Sequence, residues 1–361
     1  MTHARAAVVL CCVWLLPRGA VSFENTGGSD SRFTSLPGSA AFTDRIAAMA
    51  GNGFTGRITV GTRDAILYDE VIGDPGGDVF FVASIAKPFT AVAMLKLFAS
   101  GAVHPGDRIG DLLPAWPDDD STTVHHLLSH TSGLAQGYAA EAILDTEAAV
   151  ASIFRTTRRF APGQRFGYAN ENYVLAAIVI ERASGQGFVS FLRENVLQPA
   201  GLVLTRYWDE PAPEGSRMAD LLSPFTDIQP SAWGFRGANG LVSNSFELVR
   251  WLQALLAGRI LPIDRVQEFL EDQVTIRDTL RGTYGGFVSD SEAGTPTYWI
   301  RGTDSSGANA IGVHYQRENL ILAMTTAAGP AEGGLLPYYN VQIRAAFEET
   351  IIQSMASRDS G

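Results

Sequence analysis

Hydrophobic positions along this chain repeat every second residue near both ends and at helical spacing in between. From Phe54 to Gly73, FTGRITVGTRDAILYDEVIG alternates apolar and polar residues around Gly61-Thr62-Arg63-Asp64, which predicts a β-hairpin. Before it, AFTDRIAAMAGN (41–52) has helical periodicity. SIAKPFTAVAMLKLFAS (84–100) predicts a helix. Its Pro88 fits only the first turn, where a missing N–H interrupts no ladder. Residues 103–200 read as mostly helical, with loops at HPGDRIGDLLPAWPDDDS and FAPGQRF. Residues 201–300 are irregular apart from a helix at SFELVRWLQALLAGR. Strand patterning returns in TPTYWIRG, NAIGVHYQ and NLILAMTTAA, and a last helix, PYYNVQIRAAFEETIIQSMA, closes the chain.

Strands at both sequence ends with helices between them predict an α/β fold of the α+β kind. One antiparallel sheet is built from both chain ends and flanked by the terminal helices, with a mainly helical domain inserted beside it. The expected domain covers 41–355, its sheet part about 41–82 and 280–355 and its helical part about 83–279. A cleft between the two parts is the default site. Residues 23–40, FENTGGSDSRFTSLPGSA, are Gly/Ser-rich and polar and read as a flexible leader.

The first 22 residues read as a signal peptide: a basic MTHAR, an apolar AAVVLCCVWLL too short to span a bilayer comfortably, then PRGAVS with small Ala20 and Ser22. The expected location is therefore secreted or periplasmic, with no stable membrane span once the segment is cleaved. Cys11 and Cys12 are the only cysteines, so if the segment is cleaved rather than kept as an anchor, the mature chain has neither disulfide nor thiolate metal site. Composition is ordinary for a globular chain, at 46% hydrophobic and 18% charged. The net charge of −11 becomes more negative when Arg5 and Arg18 leave with the signal peptide. Such a chain is a poor partner for nucleic acid or anionic lipid.

Three stretches carry candidate chemistry. In FFVASIAK (80–87), Ser84 and Lys87 share one face of a helix start. There the Ser84 N–H lacks an intrahelical partner and is available to an oxyanion. A serine needs an adjacent base. The flanking Phe80, Phe81, Val82 and Phe89 suggest an apolar setting in which Lys87 could serve as one. The alternative is an N-cap serine and a surface lysine. In FGYANENY (166–173), Tyr168 and Asn170 point the same way if extended, a phenol for proton relay and an amide for a substrate carbonyl. The alternative is a core tyrosine beside a turn asparagine. In TYWIRGTDSSG (297–307), Arg301-Gly302-Thr303 ends an apolar strand. Arg301 either binds a substrate carboxylate or guards a strand edge, and Gly302 permits close backbone approach.

Taken in order, S-x-x-K, Y-x-N and a basic-Gly strand make the chain resemble the serine β-lactamase-related superfamily of the class C type. That superfamily includes penicillin-binding D-Ala-D-Ala peptidases and esterases. TVHHLLSHTSGL (123–134), FAPGQRFGYANENYVLAAIVIERASG (160–185) and GANGLVSNSFELVRWL (237–252) support the resemblance, which covers about residues 40–350. It implies that Ser84 is acylated, Lys87 is its base or base partner, Tyr168 relays the proton and Asn170 orients lysine and substrate. It also implies an oxyanion hole of the Ser84 N–H and an N–H of Thr303 or Asp304. Family members usually carry Lys-Thr-Gly or His-x-Gly on this strand. Aligned by its cation, Arg301-Gly302-Thr303 has the glycine one place early and a β-branched Thr303 where the glycine belongs.

The resemblance assigns His125, His126 and His130 to a structural helix and turn, with no metal ligand set. His104 and His314 stand alone, and Trp233, Phe235 and Tyr284 are cleft-wall or core aromatics. The expected function is hydrolysis of a small ester, peptide or β-lactam without a cofactor, leaning to an esterase or D-amino-acid peptidase. A true β-lactamase is the alternative, and an inactive penicillin-binding-like scaffold the alternative of another class.

Overall fold

A computed structural model of the chain describes residues 28–117, 120–137, 145–220, 233–290, 296–304, 307–328 and 338–359. The signal-peptide assignment lies outside these residues. Twelve strands are described: β1 Gly28–Ser29, β2 Gly56–Gly61, β3 Ile66–Ile72, β4 Phe80–Phe81, β5 Arg206–Tyr207, β6 Leu241–Ser243, β7 Val274–Arg277, β8 Leu280–Gly282, β9 Phe287–Asp290, β10 Pro296–Thr303, β11 Asn309–Tyr315 and β12 Leu320–Thr326. Nine form one antiparallel sheet in the order β1-β3-β2-β12-β11-β10-β9-β8-β7. The expected hairpin is β2–β3, and β12 joins it to the C-terminal strands. The sheet is thus built from both chain ends, as the alternation implies.

Both faces of the sheet are covered, and the strand sequences show it. In β12, Leu320, Leu322 and Met324 join one core while Ile321 and Ala323 join the other. A strand buried on both sides reads as a continuous apolar run rather than a clean alternation, which explains NLILAMTT. One face carries the terminal helices Ser39–Gly51 and Tyr339–Phe347, with Phe42, Ile46, Ile343 and Phe347 against Ile58, Val60, Ile311 and Val313. Each such side chain stabilises the fold by about 1.5–3 kcal/mol relative to exposure. The other face carries the helical part. Its helices Ala86–Ser100 and Asn170–Ser184 are buried almost all round, so neither shows a polar stripe.

The sequence expectation differs from the structure at two places. The stretch from Gly28 is not a loose leader: β1 pairs with β3, and Ser31–Thr34 is a helical turn whose Phe33 is 1% exposed. Phe33 packs on Tyr68 with ring centroids 4.7 Å apart, so a single aromatic anchors an otherwise polar segment. Second, strands begin at Val274 rather than about 280, because β7, β8 and β9 extend the sheet beyond β10. The helical part also holds a small sheet of its own, in the order β4-β6-β5.

Candidate active site

Ser84 sits where β4 turns into the Ala86–Ser100 helix. Phe80 and Phe81 are fixed by pairing with Ser243 and Val242 of β6. The chain then reverses through Ala83, whose φ of 48° is left-handed and rare for a residue with a Cβ. A 3₁₀ turn, Ala83–Ile85, runs directly into the helix, and Pro88 lies in its first turn as expected. Ser84 is half-buried, and its N–H donates to none of the described residues.

Three side chains meet at this turn. Lys87 Nζ donates to Ser84 Oγ at 3.0 Å and to the Ala238 carbonyl at 2.7 Å. The Tyr168 hydroxyl donates to Ser84 Oγ at 2.8 Å. Lys87 Nζ also lies 5.0 Å from the centre of the Tyr168 ring. Lys87 is 2% exposed, so its Nζ has exchanged water for these partners. The surface-lysine alternative is therefore excluded. The Ala238 carbonyl was not among the expected site groups. It belongs to a loop docked on the helix by Thr90 Oγ1, which donates to the Gly237 carbonyl at 2.8 Å. The legible signal was Gly-Ala-Asn-Gly (237–240): both glycines have positive φ, and a Cβ on Gly237 would fall 2.2 Å from the Tyr173 carbonyl.

Tyr168 comes from a loop clamped to the His125–Leu134 segment. Gly167 N donates to the His130 carbonyl at 2.8 Å, and Arg159 Nη2 reaches the Tyr168 carbonyl at 3.1 Å. Ala169 is extended (φ −155°, ψ 136°), and Asn170 opens the Asn170–Ser184 helix. Tyr168 is thus brought to Ser84 and Lys87. The Asn170 side chain makes no hydrogen bond to the described residues.

The β10 expectation is corrected. Residues of β10 alternate between the two cores: Tyr298 and Ile300 face the helical part, and Trp299 packs on the terminal-helix side. Arg301 follows Trp299. It is exposed and lies 6.0 Å from the Trp299 ring centre, on the face away from Ser84. Thr303 takes the same face by alternation. Gly302 faces Ser84: a Cβ there would lie 2.0 Å from the Val82 carbonyl and 3.2 Å from Ser84 N. The glycine is therefore in its place and the cation is not. Ile300-Arg301-Gly302, rather than Arg301-Gly302-Thr303, occupies the three-residue motif, with Ile300 at the cationic position, 1% exposed. Asp304 N donates to the Ala308 carbonyl at 3.0 Å, across to the β11 side. Strand N–H groups alternate in direction, so that of Thr303 points to the opposite edge of β10. Pairing with β9 ends at Trp299, and among the described residues no strand pairs with this edge beyond it.

His125 and His126 are structural. Thr123 and His126 form a reciprocal cap on the Val124–Leu128 helix. His125 Nδ1 bonds the Tyr284 hydroxyl at 2.8 Å, which places Tyr284 in the core rather than on a cleft wall. Burial lowers the pKa of His125, and of His126 together with the charge of its neighbours His125 and Arg158. Among the described residues no group of His, Cys, Asp and Glu could hold a metal ion.

The beta-lactamase family model matches residues 60–345. The chain belongs to the beta-lactamase family. It is 31% identical over 140 residues to penicillin-binding protein 4* of Bacillus subtilis, a match spanning 36% of this chain and 31% of that protein. It is 28% identical over 291 residues to esterase EstB of Burkholderia gladioli, spanning 64% of this chain and 73% of the esterase. This member of the beta-lactamase family thus covers about a third of the penicillin-binding relative and most of the esterase. Its fold is similar to that of the D-amino acid amidase of Ochrobactrum anthropi, with a TM-score of 0.71, 19% identity, and coverage of 89% of this chain and 99% of that one. Among the described residues no single helix is long and apolar enough to cross a membrane.

Proposed function

We propose that this chain is a secreted or periplasmic serine hydrolase that acylates Ser84 with a small ester or amide lacking a carboxylate beside the scissile bond. The location rests on the N-terminal pattern of a basic, an apolar and a small-residue stretch. The chemistry rests on one observation: Lys87 Nζ and the Tyr168 hydroxyl both hydrogen-bond Ser84 Oγ, at 3.0 and 2.8 Å. Ser84 Oγ attacks the acyl carbon as its proton passes to Lys87 Nζ, which enters the step as the neutral amine and returns the proton through Tyr168. The oxyanion forms between the Ser84 and Thr303 N–H groups. As the intermediate collapses, Tyr168 protonates the departing alcohol or amine, leaving an acyl-enzyme. Water then attacks the ester, its proton returns through the same pair, and the carboxylic acid leaves. Asn170, at the helix start beside Tyr168, orients the substrate carbonyl.

Ile300 carries the substrate reading. A carboxylate brought into a site needs a paired charge, and β10 turns an isoleucine and a glycine, not its arginine, toward Ser84. β-Lactams and D-Ala-D-Ala peptides carry that carboxylate, whereas simple esters and amino-acid amides do not. The two named relatives whose activities fit are an esterase and a D-amino acid amidase. A side-by-side rate panel tests this: p-nitrophenyl acetate, D-phenylalanine amide, nitrocefin and a D-Ala-D-Ala peptide. The expected result is a kcat/KM for one of the first two at least about tenfold above both of the others. Preference for nitrocefin or the peptide contradicts it.

A further inference from the structure

His130 is 6% exposed and adopts a left-handed φ of 57°. Its ring stacks on the Tyr168 ring, with centroids 4.5 Å apart and planes at 30°. The hydrogen bonds around it have one consistent polarity. Ala169 N–H and Asn172 Nδ2 both converge on His130 Nδ1, at 3.4 and 3.1 Å. A backbone N–H can only donate, so Nδ1 is an acceptor and the ring proton sits on Nε2. The other side of the asparagine agrees. Leu134 N donates to Ser132 Oγ at 3.1 Å, and Ser132 Oγ donates to Asn172 Oδ1 at 2.5 Å, which turns the amide NH₂ toward the imidazole. Ser132, Asn172 and His130 are all buried.

We propose that His130, fixed by Ser132 and Asn172 as the neutral Nε2–H tautomer, is the positioning residue that holds the Tyr168 phenol on Ser84. The inference rests on the reading above, in which Tyr168 relays the Ser84 proton. A proton on Nδ1 would oppose two donors, Ala169 N–H and the Asn172 amide, and detach the ring from the Ala169 backbone beside Tyr168. Basic groups disfavour that proton too: Lys87 and Arg159 face the ring, and Tyr168 and Tyr173 are the titratable groups packed on it. Burial, then Lys87 and Arg159, keep the His130 pKa well below the ordinary 6.5. The arrangement is therefore intact at neutral pH and fails only in acid.

Two experiments test this. ¹⁵N-histidine spectra of the native protein should show His130 as the neutral Nε2–H tautomer at pH 6. An Nδ1–H or protonated ring at pH 6 overturns the proposal. Asn172→Asp puts a carboxylate against Nδ1 and favours a charged imidazole. It should shift the acid limb of kcat/KM for the best substrate upward by about one pH unit or more. Ser132→Ala should lower kcat several-fold with the limb unmoved. An Asn172→Asp enzyme that loses rate equally at every pH contradicts a positioning role. These outcomes are separate from Ser84 chemistry. A native protein whose Ser84 never becomes acylated overturns the hydrolase reading, whereas acylation of Ser84 with an unmoved limb overturns only the role of His130.

Discussion

Gly302 and Arg301 are adjacent and do opposite things. Gly302 lets β10 lie against the Ser84 turn; a Cβ there meets the Val82 carbonyl at 2.0 Å, a backbone atom that cannot swing aside. Gly302→Ala is therefore expected to push β10 off Ser84, lowering kcat/KM at least about 100-fold. Arg301→Ala removes an exposed side chain from the far face and should leave kcat/KM within about twofold. Steady-state kinetics of the pair decide which register is right: a large loss in Arg301→Ala would restore the reading with the cation in the site. At this scale Ser84, Lys87 and Tyr168 were legible because their spacing is local and their chemistry distinctive. The face of Arg301 was not, because Tyr298, Trp299 and Ile300 before it are consecutive apolar residues that pack on opposite cores, so the sequence there lacks the alternation that would assign it. The Ala238 carbonyl has no side-chain signature at all.

The Ala86–Ser100 helix carries Lys87 and follows directly on the Ser84 turn, and its packing holds the site. Phe89 is fully buried and stacks on Trp251 of the Ser245–Leu256 helix, ring centroids 4.4 Å apart. Phe89→Ala is expected to destabilise the protein by about 3–5 kcal/mol, read from denaturant unfolding. The Ala83 turn behaves differently. Glycine accepts its φ of 48° without strain, so Ala83→Gly should change stability by no more than about 1 kcal/mol while loosening the turn that presents Ser84. Of the elements, the β2–β3 hairpin follows from alternation, and the two long buried helices and β10–β12 from the length and composition of their apolar runs. Strands β7–β9 do not, because DQVTIRDTLRGTYGGF mixes charged, glycine and apolar residues on a ribbon only partly buried. The Gly28–Thr34 segment was hidden by its polar composition, with Phe33 its one apolar anchor.

For the whole molecule, buried neutral imidazoles contribute to the pH dependence of stability in acid. His314 is 4% exposed on β11, and burial, with a smaller contribution from Arg63, lowers its pKa from 6.5 to about 4. The unfolded chain binds this proton below pH 6.5 and the folded one only near pH 4. Stability should therefore fall as pH drops from 6.5 toward 4, by about 1.4 kcal/mol per unit for this one group. Lowered values at His125, His126 and His130 act in the same direction. His314→Gln should flatten that slope in denaturant unfolding measured from pH 7 to 4; an unchanged slope contradicts the assignment. The overall plan, a sheet from both termini with a helical insertion, was legible because it depends on the order of periodicities rather than on any boundary. The central claim is narrower: Ser84 is the nucleophile at the meeting of Lys87, Tyr168 and the β10 edge. Intact-mass spectrometry after exposure to a fluorophosphonate tests it most directly. One phosphonyl adduct, mapped to Ser84 and absent in Ser84→Ala, is the predicted result; no adduct, or the same adduct and undiminished ester hydrolysis in Ser84→Ala, would contradict it.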